Sequence, residues 1–260
     1  MTEGESPGQP QSDSQTASHF GAGRGDFIQA ALDHLRGISP TGGEALGAPT
    51  IARQKESLRE WAHGLGLLLE ADSIVPHLIR GGQEHDFFRD GDRIFKVTRN
   101  GIFGLSPGIE LALVSSSQDA RRFHLWEATP LEYLERLDLL NQIVPGLNLM
   151  EGILWQADGD LAIVTSQPRF DIVPVTEAEI DKWFGAQGFQ KITHSGYYRA
   201  ADNLGIFDAH DKNVVRSGKY LIPFDVIPCR PAGGFLRFIE DTITAGHTLK
   251  AIRTVSTKAS

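Results

Sequence analysis

The chain has 260 residues, 40% of them hydrophobic and 22% charged, with 25 Lys and Arg against 33 Asp and Glu. That composition suits a core-forming domain with polar extensions, and the net charge of −8 excludes a broad basic surface for nucleic acid or an anionic membrane. A single cysteine, Cys229, excludes an internal disulfide framework and a Cys-based zinc site, and no apolar run approaches the roughly 20 residues that a bilayer span needs.

Residues 1–25 are rich in Gly, Ser, Gln and Glu and carry almost nothing to bury, so a disordered tail is expected. No basic and apolar leader is evident in them, which points to chemistry in the cytoplasm. Residues 26–75 read as a helical extension. Phe27, Ile28, Ala31, Leu32 and Leu35 form one helical stripe, a Gly/Pro-rich linker follows, and Leu58, Trp61, Ala62, Leu65 and Leu69 form a second stripe.

The pattern changes at Pro76. Short β-rich runs around Leu78-Ile79, His85-Asp86-Phe87-Phe88 and Arg93-Ile94-Phe95-Lys96-Val97 are broken by Gly81-Gly82 and Asp90-Gly91, which is hairpin grammar. Residues 99–128 look irregular, with one apolar run at 109–114. Thr129-Pro130-Leu131-Glu132 is a capping box with proline at the first helical position, and Leu131, Leu134, Leu137 and Asn141 follow on one side. Two strands, 150–156 and 161–165, flank Asp158-Gly159-Asp160. Thr176-Glu177-Ala178-Glu179 opens a second helix, with Ile180, Trp183 and Phe184 inward and Gly188 at its end. Short strands are expected at 197–200, 205–207 and 219–224, and a weak helix from Phe235 to about Ile252. The order is that of an α+β fold with a sheet-rich first lobe and a mixed second lobe.

The segment richest in chemistry is Asp208-Ala209-His210-Asp211-Lys212-Asn213, a polar loop between apolar strands. Twelve residues later, Asp225 ends the strand Tyr220-Leu221-Ile222-Pro223-Phe224. A carboxylate that can take a hydroxyl proton, and oxygen ligands for Mg²⁺, are what phosphoryl transfer from a nucleotide requires. Alone, such a loop is also an ordinary solvated turn, and a strand lysine such as Lys96 often only faces solvent. It is the combination that points to a site.

Asp208-x-x-x-x-Asn213 resembles the catalytic loop of protein, antibiotic and sugar kinases. The wider pattern resembles the kinase domain found in polyvalent proteins of phages and mobile elements. The matching pieces are Gly81-Gly82, Ile94-Phe95-Lys96-Val97-Thr98, Thr129-Pro130-Leu131-Glu132-Tyr133-Leu134, Val164-Thr165-Ser166-Gln167-Pro168 and the Asp208 loop. This resemblance implies a minimal two-lobed protein-kinase-like fold over residues 76–232 with a truncated C-terminal lobe, and residues 233–260 as a C-terminal helix and tail. It implies Asp208 as base, Asn213 and Asp225 as metal ligands, and ATP and Mg²⁺ as cofactors. Lys96 would contact the α/β-phosphates, Gly81 and Gly82 would let the backbone approach them, and residues 166–170, Gln167 among them, would form the hinge beside adenine. A glutamate on the helix after Thr129 would pair with Lys96. Glu132 is already committed to the capping box, which favours Glu135.

The chain also departs from the protein-kinase pattern. Ile206 stands where a His or Tyr is usual, Val226-Ile227 follows Asp225 in place of Phe-Gly, and only 35 residues remain after Asp225. These departures bear against a peptide substrate more than against nucleotide binding. Two functions follow: a phosphotransferase acting on a hydroxyl of a protein or small molecule, or an inactive kinase-like module that binds nucleotide or a protein partner. His210 reads as a structural hydrogen-bonder, and Cys229 as an ordinary small buried side chain.

Overall fold

The computed structural model describes residues 27–38, 48–99, 101–112, 120–155, 160–170 and 173–246. The N-terminal tail, the first linker, the Asp158-Gly159 turn and the last residues lie outside this set. In chain order the elements are α1 (Phe27–Ile38), α2 (Ala48–Gly64), β1 (Leu68–Leu69), α3 (Ala71–Ile74), β2 (Ile79–Arg80), β3 (His85–Asp90) and β4 (Arg93–Thr98). There follow β5 (Leu105–Ala112), β6 (Ala120–Glu127), α4 (Pro130–Ile143), β7 (Leu149–Trp155), β8 (Leu161–Pro168), α5 (Glu177–Ala186), β9 (Gln190–Thr193) and β10 (Gly196–Arg199). The chain closes with β11 (Leu204–Phe207), β12 (Val214–Ser217), β13 (Tyr220–Pro223), β14 (Ile227–Cys229) and α6 (Gly233–Thr244).

The first lobe is built on a six-stranded sheet in the order β1-β7-β8-β4-β3-β2. Strand alternation sends Phe95 and Val97 of β4 to one face, where they pack with Ile74, Phe88 and Val164 under α3. Lys96, between them, is turned to the other face. That face carries α4, and with it α1 and α2, through Leu32, Leu35, Leu58, Leu134, Ile153 and Ile163. Burying each such side chain contributes roughly 1.5–3 kcal/mol. The N-terminal extension is therefore part of the first-lobe core. The amide of Leu131 donates to Gln54 Oε1 of α2, and β1 adds a parallel strand beside β7.

Helix α4 begins as its sequence predicts. Thr129 Oγ1 accepts from the Glu132 amide and Glu132 Oε2 accepts from the Thr129 amide, a reciprocal cap that satisfies two otherwise orphaned donors. The same box, Thr176 with Glu179, opens α5. The second lobe holds α5, α6, a four-stranded sheet in the order β14-β11-β10-β9, and the β12–β13 hairpin, closed around Leu140, Ile180, Phe184, Tyr197 and Ile206.

Three readings of the sequence are corrected. The stretch 99–128 is not irregular: β5 and β6 pair antiparallel from Leu105↔Glu127 to Ala112↔Ala120. Pro107 and Gly108 in one strand and the basic run in the other mask its alternation. The second helical stripe ends before Leu65, which is half-exposed, because Gly66 takes φ +66° and turns the chain into β1. Strands β9, β12 and β14, each four residues or fewer, were too short to carry a visible period.

Candidate functional site at the junction of the lobes

Strand β11 is fully buried and delivers Asp208 to the edge of the second lobe. There the backbone bends sharply, with Asp208 at φ +57°, a left-handed conformation that Asp tolerates because its short side chain bonds locally. Asn213 supplies those bonds: its Nδ2 donates to Asp208 O at 2.8 Å and to Asp208 Oδ2 at 2.9 Å. His210 O accepts from the Asn213 and Val214 amides at 2.9 and 3.1 Å, and His210 Nδ1 accepts from the Lys212 amide. The ring is thereby held with Nε2 3.6 Å from Asp208 Oδ1. His210 is part of the loop's scaffold.

The β12–β13 hairpin then folds the chain back. Val214 pairs with Pro223, and the Asp225 amide donates to Asn213 O at 3.3 Å. Across the cleft, Lys96 Nζ donates to Asp225 Oδ1 at 2.9 Å and lies 5.5 Å from the centre of the Phe224 ring. Lys96, Asp225, Asn213 and Asp208 thus form one continuous chain of contacts between the lobes. Burial alone would push the Asp225 carboxyl up. The ammonium of Lys96 and the guanidinium of Arg136 outweigh it and hold the group below the usual carboxylate range.

The remaining residues singled out in the sequence are placed differently. Glu135 is partly exposed and pairs with Arg36 of α1 at 3.1 Å, while Glu132 is held by the Thr129 cap and by Ser106 Oγ. Neither glutamate is brought to Lys96, because Glu135 lies on the flank of α4 that α1 covers. Gly81 and Gly82 form an exposed turn between β2 and β3. A Cβ on Gly81 would meet Phe87 Cε1 at 2.5 Å, and one on Gly82 would meet His85 O at 3.2 Å, so the pair also has a packing reason to be glycine. Gln167 pairs with Ile94 and Thr165 with Lys96, so alternation puts Gln167 on the Lys96 face. Its side chain is buried, and Oε1 has no hydrogen-bond partner among the described residues.

Four further residues complete the site and escape the sequence reading: Glu84, His85, Tyr133 and Arg136. His85 Nε2 and Tyr133 Oη are 2.9 Å apart behind Lys96. Burial, and then the charge of Lys96, push the His85 imidazole down to about 3, so it is neutral. Arg136 Nη1 donates to Glu84 Oε2 at 2.8 Å. The available signal was a charge at position 136 within the apolar stripe Tyr133, Leu137, Leu140 of α4. His85, Lys96, Tyr133, Arg136, Phe224 and Asp225 line a small cleft between the lobes. Among the described residues no cluster of three His, Cys, Asp or Glu side chains forms a protein-only metal cage, and no helix is long and apolar enough to cross a membrane.

No curated protein and no solved structure shows a significant match to the chain. Residues 114–228, somewhat under half of the chain, match the family model described as Serine/Threonine/Tyrosine Kinase found in polyvalent proteins. The matched span runs from the β5–β6 hairpin through α4 and the Asp208 loop to Asp225, while Lys96 and the Gly81-Gly82 turn precede it. Over that span the chain is similar to the kinase domain found in polyvalent proteins, the family that its motifs resemble.

Proposed function

We propose that the protein is an ATP- and Mg²⁺-dependent phosphotransferase acting on a hydroxyl of a protein or small molecule. The observation that carries this reading is the unbroken chain of contacts from Lys96 through Asp225 and Asn213 to Asp208. Asp208 lies at the open end of that chain and would accept the proton of the attacking hydroxyl. Asp225, and Asn213 through Oδ1, would hold Mg²⁺, a cation that prefers oxygen and commonly takes only one or two protein ligands. Bound there, it supplies charge neutralisation for the phosphates. Lys96 would add a second positive charge to them. The buried Gln167 Oε1, an acceptor without a donor among the described residues, suits the exocyclic amine of adenine.

A second reading is a kinase-like module that binds nucleotide without turning it over, or that works through a protein partner. It is favoured by the engagement of Lys96 with Asp225 itself in place of a glutamate from α4. Incubation with γ-labelled ATP and Mg²⁺ separates the two, with wild type beside Asp208→Asn and Asp225→Ala. Label transferred by wild type and lost in both variants supports the enzyme. A nucleotide-dependent rise in melting temperature without any transfer supports the module. At 100 times its dissociation constant, nucleotide adds about 2.7 kcal/mol of stability.

A further inference from the structure

Helix α4 brings to the cleft not a glutamate but an arginine. The side chain of Arg136 is 5% exposed and spends its donors on two separate pieces of chain. Nη1 donates to Glu84 Oε2 in the turn that follows Gly81-Gly82, at 2.8 Å. Nε donates to Val226 O at 3.2 Å and Nη2 to Asp225 O at 3.3 Å, with Asp225 Oδ1 also 3.6 Å from Nη2. The charges alternate across the cleft: Glu84, Arg136, Asp225, Lys96. A guanidinium suits this task because its donors diverge in a fixed plane, so one group reaches three acceptors at once, which an ammonium at the same position does less well.

We propose that Arg136 is a positioning residue that fixes the backbone and carboxylate of Asp225 and couples them to the turn carrying Gly81 and Gly82. The functional part rests on reading Asp225 as a metal ligand; the mechanical part does not. With Arg136 in place, Asp225 meets Lys96 and Asn213 in one geometry and the glycine turn is drawn toward the same centre. Glu84 is the partner through which that turn is held. Its carboxylate balances the buried guanidinium, so displacing the turn would leave Arg136 with Asp225 as its remaining counter-ion among these groups.

The test compares Glu84→Gln, Arg136→Lys and the double variant Glu84→Gln/Arg136→Met. The double variant avoids leaving Glu84 buried beside a lost cation. Amide hydrogen exchange is followed in nucleotide-free protein. At residues 224–227, exchange is expected to rise at least about tenfold in the double variant and less in Arg136→Lys, with the α4 amides at 137–140 unchanged and Glu84→Gln close to wild type. If the double variant matches Glu84→Gln at 224–227, the proposal is overturned. If that variant does not fold, Arg136→Lys decides, and wild-type exchange there overturns it equally. The second readout is the Mg²⁺ concentration for half-maximal ATP response, by transfer or by thermal shift. Outer-shell changes of this kind cost roughly 10–100-fold, so Arg136→Lys should raise it about tenfold. An unchanged Mg²⁺ requirement refutes the link to Asp225. A wild type with no Mg²⁺-nucleotide response sinks the phosphotransferase reading instead and leaves the exchange result standing.

Discussion

Lys96 Nζ lies 2.9 Å from Asp225 Oδ1, although the two residues stand 129 positions apart in the chain. The contact spans the lobes, joining the middle of β4 to the residue after Phe224. Lys96→Met should leave the fold intact at a cost of about 1–2 kcal/mol, since the carboxylate keeps Arg136 and partial access to water. Turnover of ATP should fall by roughly a hundredfold or more, because a preorganised cation would be lost from the phosphates. Steady-state kinetics beside chemical denaturation checks both expectations. A variant with wild-type turnover would remove Lys96 from the site.

His85 sets a pH dependence of stability. Folded, its imidazole titrates near 3, against about 6.5 when free. Its contribution is complete above pH 6.5 and is lost as pH falls from there toward 3, because the unfolded chain takes up a proton that the folded one refuses. The slope is at most about 1.4 kcal/mol per pH unit. Urea unfolding at pH 7.0 and 5.0 should therefore show a loss that is smaller in His85→Gln, which keeps a polar group facing Tyr133.

Glu135 offers a direct check on the placement of α4. Its partner is Arg36, both are substantially exposed, and such pairs contribute about 0–1 kcal/mol. Glu135→Gln is expected to leave both Tm and ATP response near wild type. Leu32→Ala, in the α1 face buried against α4, should cost about 2–5 kcal/mol. A large activity loss in Glu135→Gln with stability unchanged would show that the glutamate reaches Lys96 after all.

Thr129→Ala removes the side-chain acceptor that closes the first turn of α4 and should cost about 1 kcal/mol. Since α4 carries Tyr133 and Arg136, the loss should also appear as faster amide exchange in residues 131–134. Thr129→Ser, which keeps the hydroxyl oxygen, is expected to restore most of it.

The elements with strong local grammar were legible in the sequence. Both capping boxes open their helices where Thr129 and Thr176 place them, and the Asp90-Gly91 turn sits between β3 and β4. The Asp208 loop and Asp225 were visible because their spacing is local to one strand–loop–hairpin unit. What the sequence hid were relationships between distant residues. Apart from the place of Arg136 in the apolar stripe of α4, nothing in the chain's order separates it, facing the cleft, from Glu135, facing α1, until α1 is docked on the helix. Glu84 carried no local signal, because its partner lies 52 residues away. The β5–β6 hairpin was missed because Pro107 and Gly108 interrupt β5, basic residues precede Phe123 in β6, and the residues joining the strands lie outside the described set.

That hairpin leaves the first lobe after β4 and returns directly into α4, yet it is seated on the second lobe. Phe123 stacks on Phe207 at 4.9 Å, one residue before Asp208, and Ile109 and Leu125 join the cluster with Ile227 and Phe238. Residues 166–170 are consequently not the sole strut between the halves. A jaw on one strap can gape and twist, whereas a jaw on two is limited to a rocking stroke. Any widening of the mouth must bend the chain at the hairpin's roots, near residues 101–104 and 127–129, and would draw the strand bearing Lys96 away from Asp225.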